Sequence, residues 1–565
     1  MSQTAAVDAS AKRERFPRFS EEYRARWASA GMWRDLTLHG VFDETVAATP
    51  DAVALITKDK RITFREWKER SDALAAGLRA AGIGAGDVVT VQLPNVAEFC
   101  YLQVALSRLG AVIHPMHVVY REREMESLLR FCESDAVVVP ASSGGFAFAD
   151  AVRGMRERLP ALRLLVVAGE KGEGEGEVGL EELVDDGRSA KGTVTSADDP
   201  DAVFYLNFTS GTEGDPKGFL HTHNTLISYM KGMVDFVKMA MPEAVVLTCS
   251  PMTHSFGHFL TYFASLGGRP VVLVARYRAG DVLEHIASDR VTMIAGTPAH
   301  LSGILNHPDF DRFDTSSVKH VMTGGARSAP ELLEQLERTW GVRPSNTYGL
   351  GENLVHTQTT AFDPPDKARD TVGRPVPGAE LRIVDPDDHT RELPAGTVGE
   401  IAYRGPTLFL GYHRQPELTA ATRDDDGWFF TGDLGFVDDD GYLHFASRRS
   451  EVINRGGTKI YPKEIEDLLA EHPDVADVAV VGMPDRELGE RVCAYVVPRT
   501  GSSVTLDDLA RFLLDQKVSK HKVPEHLVVV DELPLTPTGK VRKVSLQEDI
   551  AQRVSAQGDT ARGVS

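Results

Sequence analysis

Between residues 88 and 323, short apolar runs of strand type alternate with stretches of helical periodicity. The runs fall at 88–93, 136–139, 162–167, 271–275, 292–295 and 320–323, and helical stretches at 98–109 and 122–131 separate the first of them. Such alternation places helices over both faces of parallel sheets and predicts an α/β fold. At 565 residues the chain is too long for one core, since a domain takes roughly 100–200 residues.

The remaining segments read differently. Residues 1–35 are charged and aromatic, with a helical FSEEYRARWASAGMWRD, and read as a strap on the first domain. The Gly- and acid-rich stretch 168–200 reads as a mobile surface connection. Ser328 to Glu331 spells a capping box that opens a helix running to about Gly341. From 385 to 445, short β-type pieces between Asp-rich turns read as a small antiparallel subdomain. After a boundary near 447–451, a helix at 462–473, strands at 477–482, 491–497 and 527–530, and a helix at 506–517 make a compact α+β unit. The tail from 552 is polar and reads as frayed.

Several function classes drop out on composition. No run of about 18 apolar residues exists to span a membrane, and the first residues lack the apolar core of a signal peptide. Four scattered cysteines (Cys100, Cys132, Cys249, Cys493) suit a reducing cytoplasm rather than a disulfide framework or a zinc site. The formal charge of −20 argues against nucleic-acid binding. A polyanionic ligand would have to be held by local positive groups.

One stretch offers such groups. LNFTSGTEGDPKG, from Leu206 to Gly218, follows an apolar run and precedes a helix-starting HTHNTL. Its glycines let backbone N–H groups approach a phosphate, its hydroxyls add donors, and Lys217 adds a mobile positive charge. The spacing is not that of the common G-x-x-x-x-G-K-[ST] loop, because Pro216 stands at the second glycine. By residues alone this is a phosphate loop or a polar surface loop.

Four more strings carry chemistry. In Tyr348-Gly349-Leu350-Gly351-Glu352 a ring can stack on a base and a carboxylate can hold Mg²⁺. Read without context it is a strand-end turn with a core tyrosine. In Phe430-Thr431-Gly432-Asp433 one aspartate can accept from both ribose hydroxyls; a turn aspartate is the plainer reading. Ser447-Arg448-Arg449-Ser450-Glu451 leads into VINRGGTKIYPKEIE, where Gly456-Gly457 is at least a tight turn. In Pro537-Thr538-Gly539-Lys540 a lysine on a turn can neutralise charge, or simply be solvated.

TSGTEGDPKG resembles the phosphate-binding signature of the adenylate-forming enzymes: acyl- and aryl-CoA synthetases, adenylation domains of peptide synthetases, and luciferases. The four other strings resemble that family's later motifs and occur in the family's order. The resemblance implies that Thr209, Ser210, Gly211, Thr212, Gly214 and Lys217 bind ATP, with Tyr348, Gly349, Asp433 and Arg448 on the nucleotide. It implies that Lys540, Glu352 and Lys217 are catalytic and that Glu352 holds the metal. Ser450 falls at the hinge, where the family has Asp or Lys, and Gly456 and Gly457 fall where a pantetheine arm passes. The acid pocket would lie near His254, Phe256, Gly324, Gly325, Arg327, Leu350 and Gly351.

Besides Ser450, the chain departs from the family at two motif positions. Glu213 stands where a hydroxyl residue or glycine is usual. Gly351 replaces the usual threonine, as a small residue does in dihydroxybenzoate-type ligases, and is read as leaving room beside the carboxylate being activated. Local strings are similar to narrower groups. HVMTGGARSAP and YGLGENLVHTQ resemble siderophore-type aryl-acid AMP ligases, and AVIHPMHVVYREREMESLLRF resembles cyclohexanecarboxylate-CoA ligases.

The resemblance implies a large N-terminal domain over 1–447, made of parallel and mixed sheets covered by helices plus a small β subdomain. A hinge follows at 448–451, then a small mobile α+β C-terminal lid over 452–551 and a flexible tail over 552–565. It implies an ATP- and Mg²⁺-dependent, AMP-forming ligase that activates a small cyclic or aromatic acid and transfers it to the thiol of CoA or pantetheine. Its expected partners are small molecules, with an acyl carrier protein as a further candidate. Neither nucleic acid nor a membrane is expected, and the oligomeric state is left open. Three other readings remain: an aryl-AMP ligase loading a carrier protein, activation of a non-carboxylate acid such as nitrite, and a nucleotide-binding protein without catalysis.

Overall fold

The computed structural model describes residues 15–190, 194–208, 216–326, 328–536 and 540–562. Thr209, Ser210, Gly211, Thr212, Glu213 and Gly214 of the phosphate loop, the pocket candidate Arg327, and Pro537, Thr538 and Gly539 lie outside the described residues. The chain divides into two compact units. One takes the residues up to 369 with 375–380 and 404–427; the other takes 370–374, 381–403 and 428 onward.

In the first unit the apolar runs become the interiors of two sheets. Val88–Val91, Val112–Pro115, Ala136–Pro140 and Leu164–Ala168 lie parallel in an eight-stranded sheet. Helix α1 (Ala97–Leu109) is buried at every residue except Glu98, as a helix apolar on all sides must be. Strand β1 (Val203–Phe208) continues this sheet in parallel, and β2 (Gly218–Thr222) returns beside it antiparallel. Thr222 then caps helix α2 (His223–Ala240), its side chain accepting from Thr225 N. The second sheet has nine strands, with Val246–Thr248, Met293–Gly296, His320–Thr323 and β3 (Ser345–Tyr348) in parallel register. A short strand β4 (Gly411–Tyr412) pairs with the outer side of β2.

The second unit holds a five-stranded antiparallel sheet, as the turn-rich stretch 385–445 predicts, including β5 (Phe429–Val437) and β6 (Leu443–Arg448). Beyond it, strands Val475–Asp485 and Gly489–Pro498 form a long hairpin, and His526–Val529 runs parallel to its second arm. Helices α3 (Pro462–Ala470) and Leu506–Asp515 cover this sheet, burying Ile465, Leu469, Leu509 and Leu513.

Two expectations change. The stretch 168–200 is largely structured: Glu177–Gly179 adds an edge strand and Leu180–Ser189 is a helix. Its Gly187 serves close packing, since a Cβ there would overlap the carbonyl of Ala73, just as one at Gly77 would overlap the carbonyl of Leu183. The Ser328 capping box does not form. The helix is Pro330–Trp340 with Ala329 at its N-cap, and the Ser328 hydroxyl is 2.8 Å from that of Thr323. Helix α4 (Lys543–Arg562) carries past 552.

The second compact unit gathers pieces from 370–374 and 381–403 together with 428 onward. The half-buried Lys543 ammonium lies between Glu451, at 3.1 Å, and Glu466 of α3, at 2.8 Å. Facing carboxylates hold it protonated against the pull of burial. This bridge ties the end of the expected hinge to the C-terminal residues, and β6 packs on α3.

Candidate active site

The motif YGLGE is the turn that leaves β3. Gly349 has to be glycine, because a Cβ there would overlap the carbonyl oxygen of Leu354. Leu354 N donates to Leu350 O at 2.8 Å, and Asn353 Oδ1 accepts from Leu350 N at 3.0 Å, so the turn closes on itself. The Tyr348 ring leans on His356, with centroids 5.3 Å apart. Glu352 is 6% exposed; its carboxylate accepts from the Tyr412 hydroxyl at 2.9 Å, and its carbonyl accepts from Phe409 N at 2.6 Å. Tyr412 has no place among the sequence candidates, and only the G-Y pair before HRQPE marks it.

The space beside Gly351 is filled. A Cβ there would lie 2.5 Å from Cζ of Phe219, so the ring of β2 occupies the room that the sequence reading left beside an activated carboxylate. Two residues along β2, His221 Nε2 is 2.8 Å from the Gly351 carbonyl. A carbonyl only accepts, so Nε2 carries the proton and Nδ1 faces the Thr225 hydroxyl at 3.1 Å. Burial lowers the His221 pKa to about 4 and keeps the ring neutral.

His254 ends a second turn. It caps the short helix Ser255–His258, its Nδ1 accepting from Phe256 N at 3.3 Å, and its ring stacks on His117 at 6.1 Å. Asn95 holds this turn through Ser250 O at 3.1 Å and Met252 N at 2.6 Å. From β1, Asn207 Nδ2 donates to Thr253 O at 3.1 Å, and the Tyr205 hydroxyl is 3.3 Å from that of Ser255. Tyr205 pairs with His221, and Asn207 with Phe219, across the β1–β2 ladder. Paired residues share one face of a sheet, so one patch of four side chains anchors both the 250–256 turn and the 348–352 turn. Gly324 follows the neighbouring strand His320–Thr323, where a Cβ would overlap the Thr347 hydroxyl, and Gly325 has φ +79°. Lys217 is exposed at the exit of the phosphate loop.

The second unit carries the other candidates. Asp433 in β5 is 2% exposed, lies opposite Arg448 of β6, and meets the Arg448 Nε at 3.3 Å. Two residues expected on one nucleotide are therefore adjacent. The preceding Gly432 has φ +72° and donates its N–H to Glu400 at 3.0 Å. Ser450 is exposed in the turn Arg449–Glu451. Gly456 and Gly457, with φ +58° and +85°, form the two-residue turn of a hairpin, a conformation that favours glycine. Lys540 closes a loop with Thr536 through Thr536 N to Lys540 O at 2.7 Å and Lys540 N to Thr536 Oγ1 at 3.0 Å.

Comparison with known proteins gives this arrangement its context. Residues 42–413 match the family described as AMP-binding enzyme, and residues 464–540 match the AMP-binding enzyme C-terminal domain. The chain belongs to the AMP-binding enzyme family. This adenylate-forming enzyme is 31% identical to the medium-chain fatty-acid–CoA ligase of Escherichia coli (strain K12), over 95% of this chain and 94% of that one. It is 33% identical to a salicylyl-CoA synthase/salicylate adenylyltransferase of Streptomyces sp, over 95% and 98% of the two chains. Its fold matches ATP-bound MatB from Rhodopseudomonas palustris with a TM-score of 0.82 at 27% identity, over 91% and 99% of the chains. It is an AMP-forming acid–thiol ligase. Among its described residues, no helix is long and apolar enough to cross a membrane.

Proposed function

We propose that the enzyme activates a small cyclic or aromatic carboxylic acid with ATP and passes the acyl group to the thiol of coenzyme A. A carboxylate oxygen of the acid attacks the α-phosphorus, and the bond to the bridging oxygen breaks as pyrophosphate leaves. The thiol sulfur then attacks the acyl carbon and gives up its proton, and AMP departs with the carbon–oxygen electron pair. A free carboxylate does not react with a thiol at neutral pH, so AMP supplies the leaving group.

Glu352 carries the reading. It is a buried carboxylate, ordered by the Tyr412 hydroxyl, on a turn held by β2 directly after Lys217. A hard oxygen donor of this kind suits Mg²⁺, which takes one or two protein carboxylates and completes its shell with phosphates and water. Bound there, Mg²⁺ would offset the charge of the phosphates. Lys217 and Lys540 neutralise the phosphates and the attacking carboxylate, Asp433 accepts from the ribose hydroxyls, and Arg448 lies on the nucleotide. Tyr348 takes the base, and the acid lies near His254, Phe256 and Leu350. Ser450 is read as the hinge between the half-reactions, with Gly456 and Gly457 on the thiol path.

A relative named for salicylate supports an aromatic acid, and relatives named for CoA support that acceptor. Those names concern carboxylic acids, so nitrite is not favoured. Buried, unpaired thiols suit a reducing cytoplasm. The test is pyrophosphate release across a panel of small acids, with and without CoA. Release with a cyclic or aromatic acid and CoA-dependent thioester is the expected result. Release with nitrite alone, or thioester only on a carrier-protein pantetheine, would replace it.

A further inference from the structure

We infer that Phe219 is a positioning residue for adenylate formation: its ring stands in for the side chain that Gly351 lacks and holds the Glu352 turn in register with β2. The inference rests on the role of Glu352 proposed above.

Gly351 is not a glycine for conformational reasons, because its φ is not among the positive values of the described glycines. It is a glycine because of space. A Cβ would meet Cζ of Phe219 at 2.5 Å and Cδ1 at 3.0 Å. The ring cannot easily yield. Phe219 is buried, His221 presents an edge 5.7 Å from it, and Tyr205 lies 6.1 Å away on β1. His221 completes the grip through the Gly351 carbonyl. Two residues of one strand face thus fix the peptide immediately before Glu352 by contact and by hydrogen bond. The same strand starts at Gly218, next to Lys217, so the grip sets how the phosphate loop's exit faces the Glu352 carboxylate. Displacing catalytic groups by about 1 Å costs on the order of 100-fold in rate.

The test is a size-exchange cycle with Gly351→Thr, Phe219→Val and the double variant, reading thermal midpoint, ATP KM and kcat for pyrophosphate release. Gly351→Thr should lower the midpoint and reduce kcat by about 100-fold. Phe219→Val should reduce kcat more than it raises KM. The double variant should recover to within about ten-fold of wild type, since contacting residues couple. If Gly351→Thr does not fold, His221→Leu and His221→Gln carry the test, with loss expected in the first and rescue by the N–H of the second. A double variant no better than Gly351→Thr, or His221→Gln no better than His221→Leu, would overturn the inference. If the wild-type enzyme releases no pyrophosphate with any acid, the proposed reaction fails. The midpoints of the cycle then still decide whether ring and glycine are exchanged partners.

Discussion

Tyr412 donates its hydroxyl to the Glu352 carboxylate at 2.9 Å, and the two residues are sixty positions apart in the chain. The contact forms because β4 pairs with β2, with Tyr412 opposite Phe219. A carboxylate that works inside a protein has to be oriented by its neighbours, and this hydroxyl is one such neighbour. Tyr412→Phe should therefore lower adenylation by about 10–100-fold, the range typical of lost supporting hydrogen bonds at metal-binding groups, and cost about 1–2 kcal/mol of stability. Pyrophosphate release and urea denaturation measure the two. Unchanged kinetics would remove Tyr412 from the site and weaken the case for Glu352.

Asp433 and Arg448 face each other but differ in exposure. Asp433 is 2% exposed, whereas the Arg448 side chain is 50% exposed. Solvent screens a pair of this kind, so Arg448→Ala should change stability by less than about 1 kcal/mol. Asp433→Ala should raise the ATP KM at least about ten-fold, by loss of hydrogen bonds to the ribose, while the KM for the acid holds. Equal changes in both KM values would argue for a structural aspartate.

Lys540 should divide the two half-reactions. Lys540→Ala is expected to abolish pyrophosphate release yet spare thioester formation from supplied acyl-adenylate. Loss of both half-reactions together would speak against separate conformations for the two steps.

The first unit should be acid-labile. Burial lowers the pKa of His117 and His221 to about 4, and of His114, His223, His258 and His356 to about 3. Their unfolded value is near 6.5, so the unfolded chain binds more protons between these limits. Stability is complete above about pH 6.5 and falls as the pH drops from there towards 3–4, each histidine contributing up to about 1.4 kcal/mol per pH unit. Urea midpoints that decline steeply below pH 6.5, with proton uptake on unfolding, are the expected outcome. A flat profile down to pH 5 would mean that these rings are open to water.

The fold class was legible because apolar runs such as 88–93 and 320–323 sit between helical stretches, and that pattern is local. The motif strings stood out for the same reason: Glu352, Asp433 and Lys540 each stand in a short string whose possible chemistry can be read without its neighbours, and the roles it assigns them are proposals. Short strings failed where a residue's meaning depended on what packs against it. Gly187 read as a linker glycine and is a helix contact; Ser328 read as a cap and bonds to Thr323. Gly351 read as open space until the ring of Phe219 lay over it. Tyr412, marked only by a G-Y pair, and His221 could not be read from the sequence, since a hydroxyl and an imidazole become specific only when a partner atom is brought within 3 Å. Periodicity and motif order are properties of neighbours along the chain. The hold on Gly351 and Glu352 belongs to the pairing of β1, β2 and β4, which joins residues far apart in sequence and exists only once the sheet has closed.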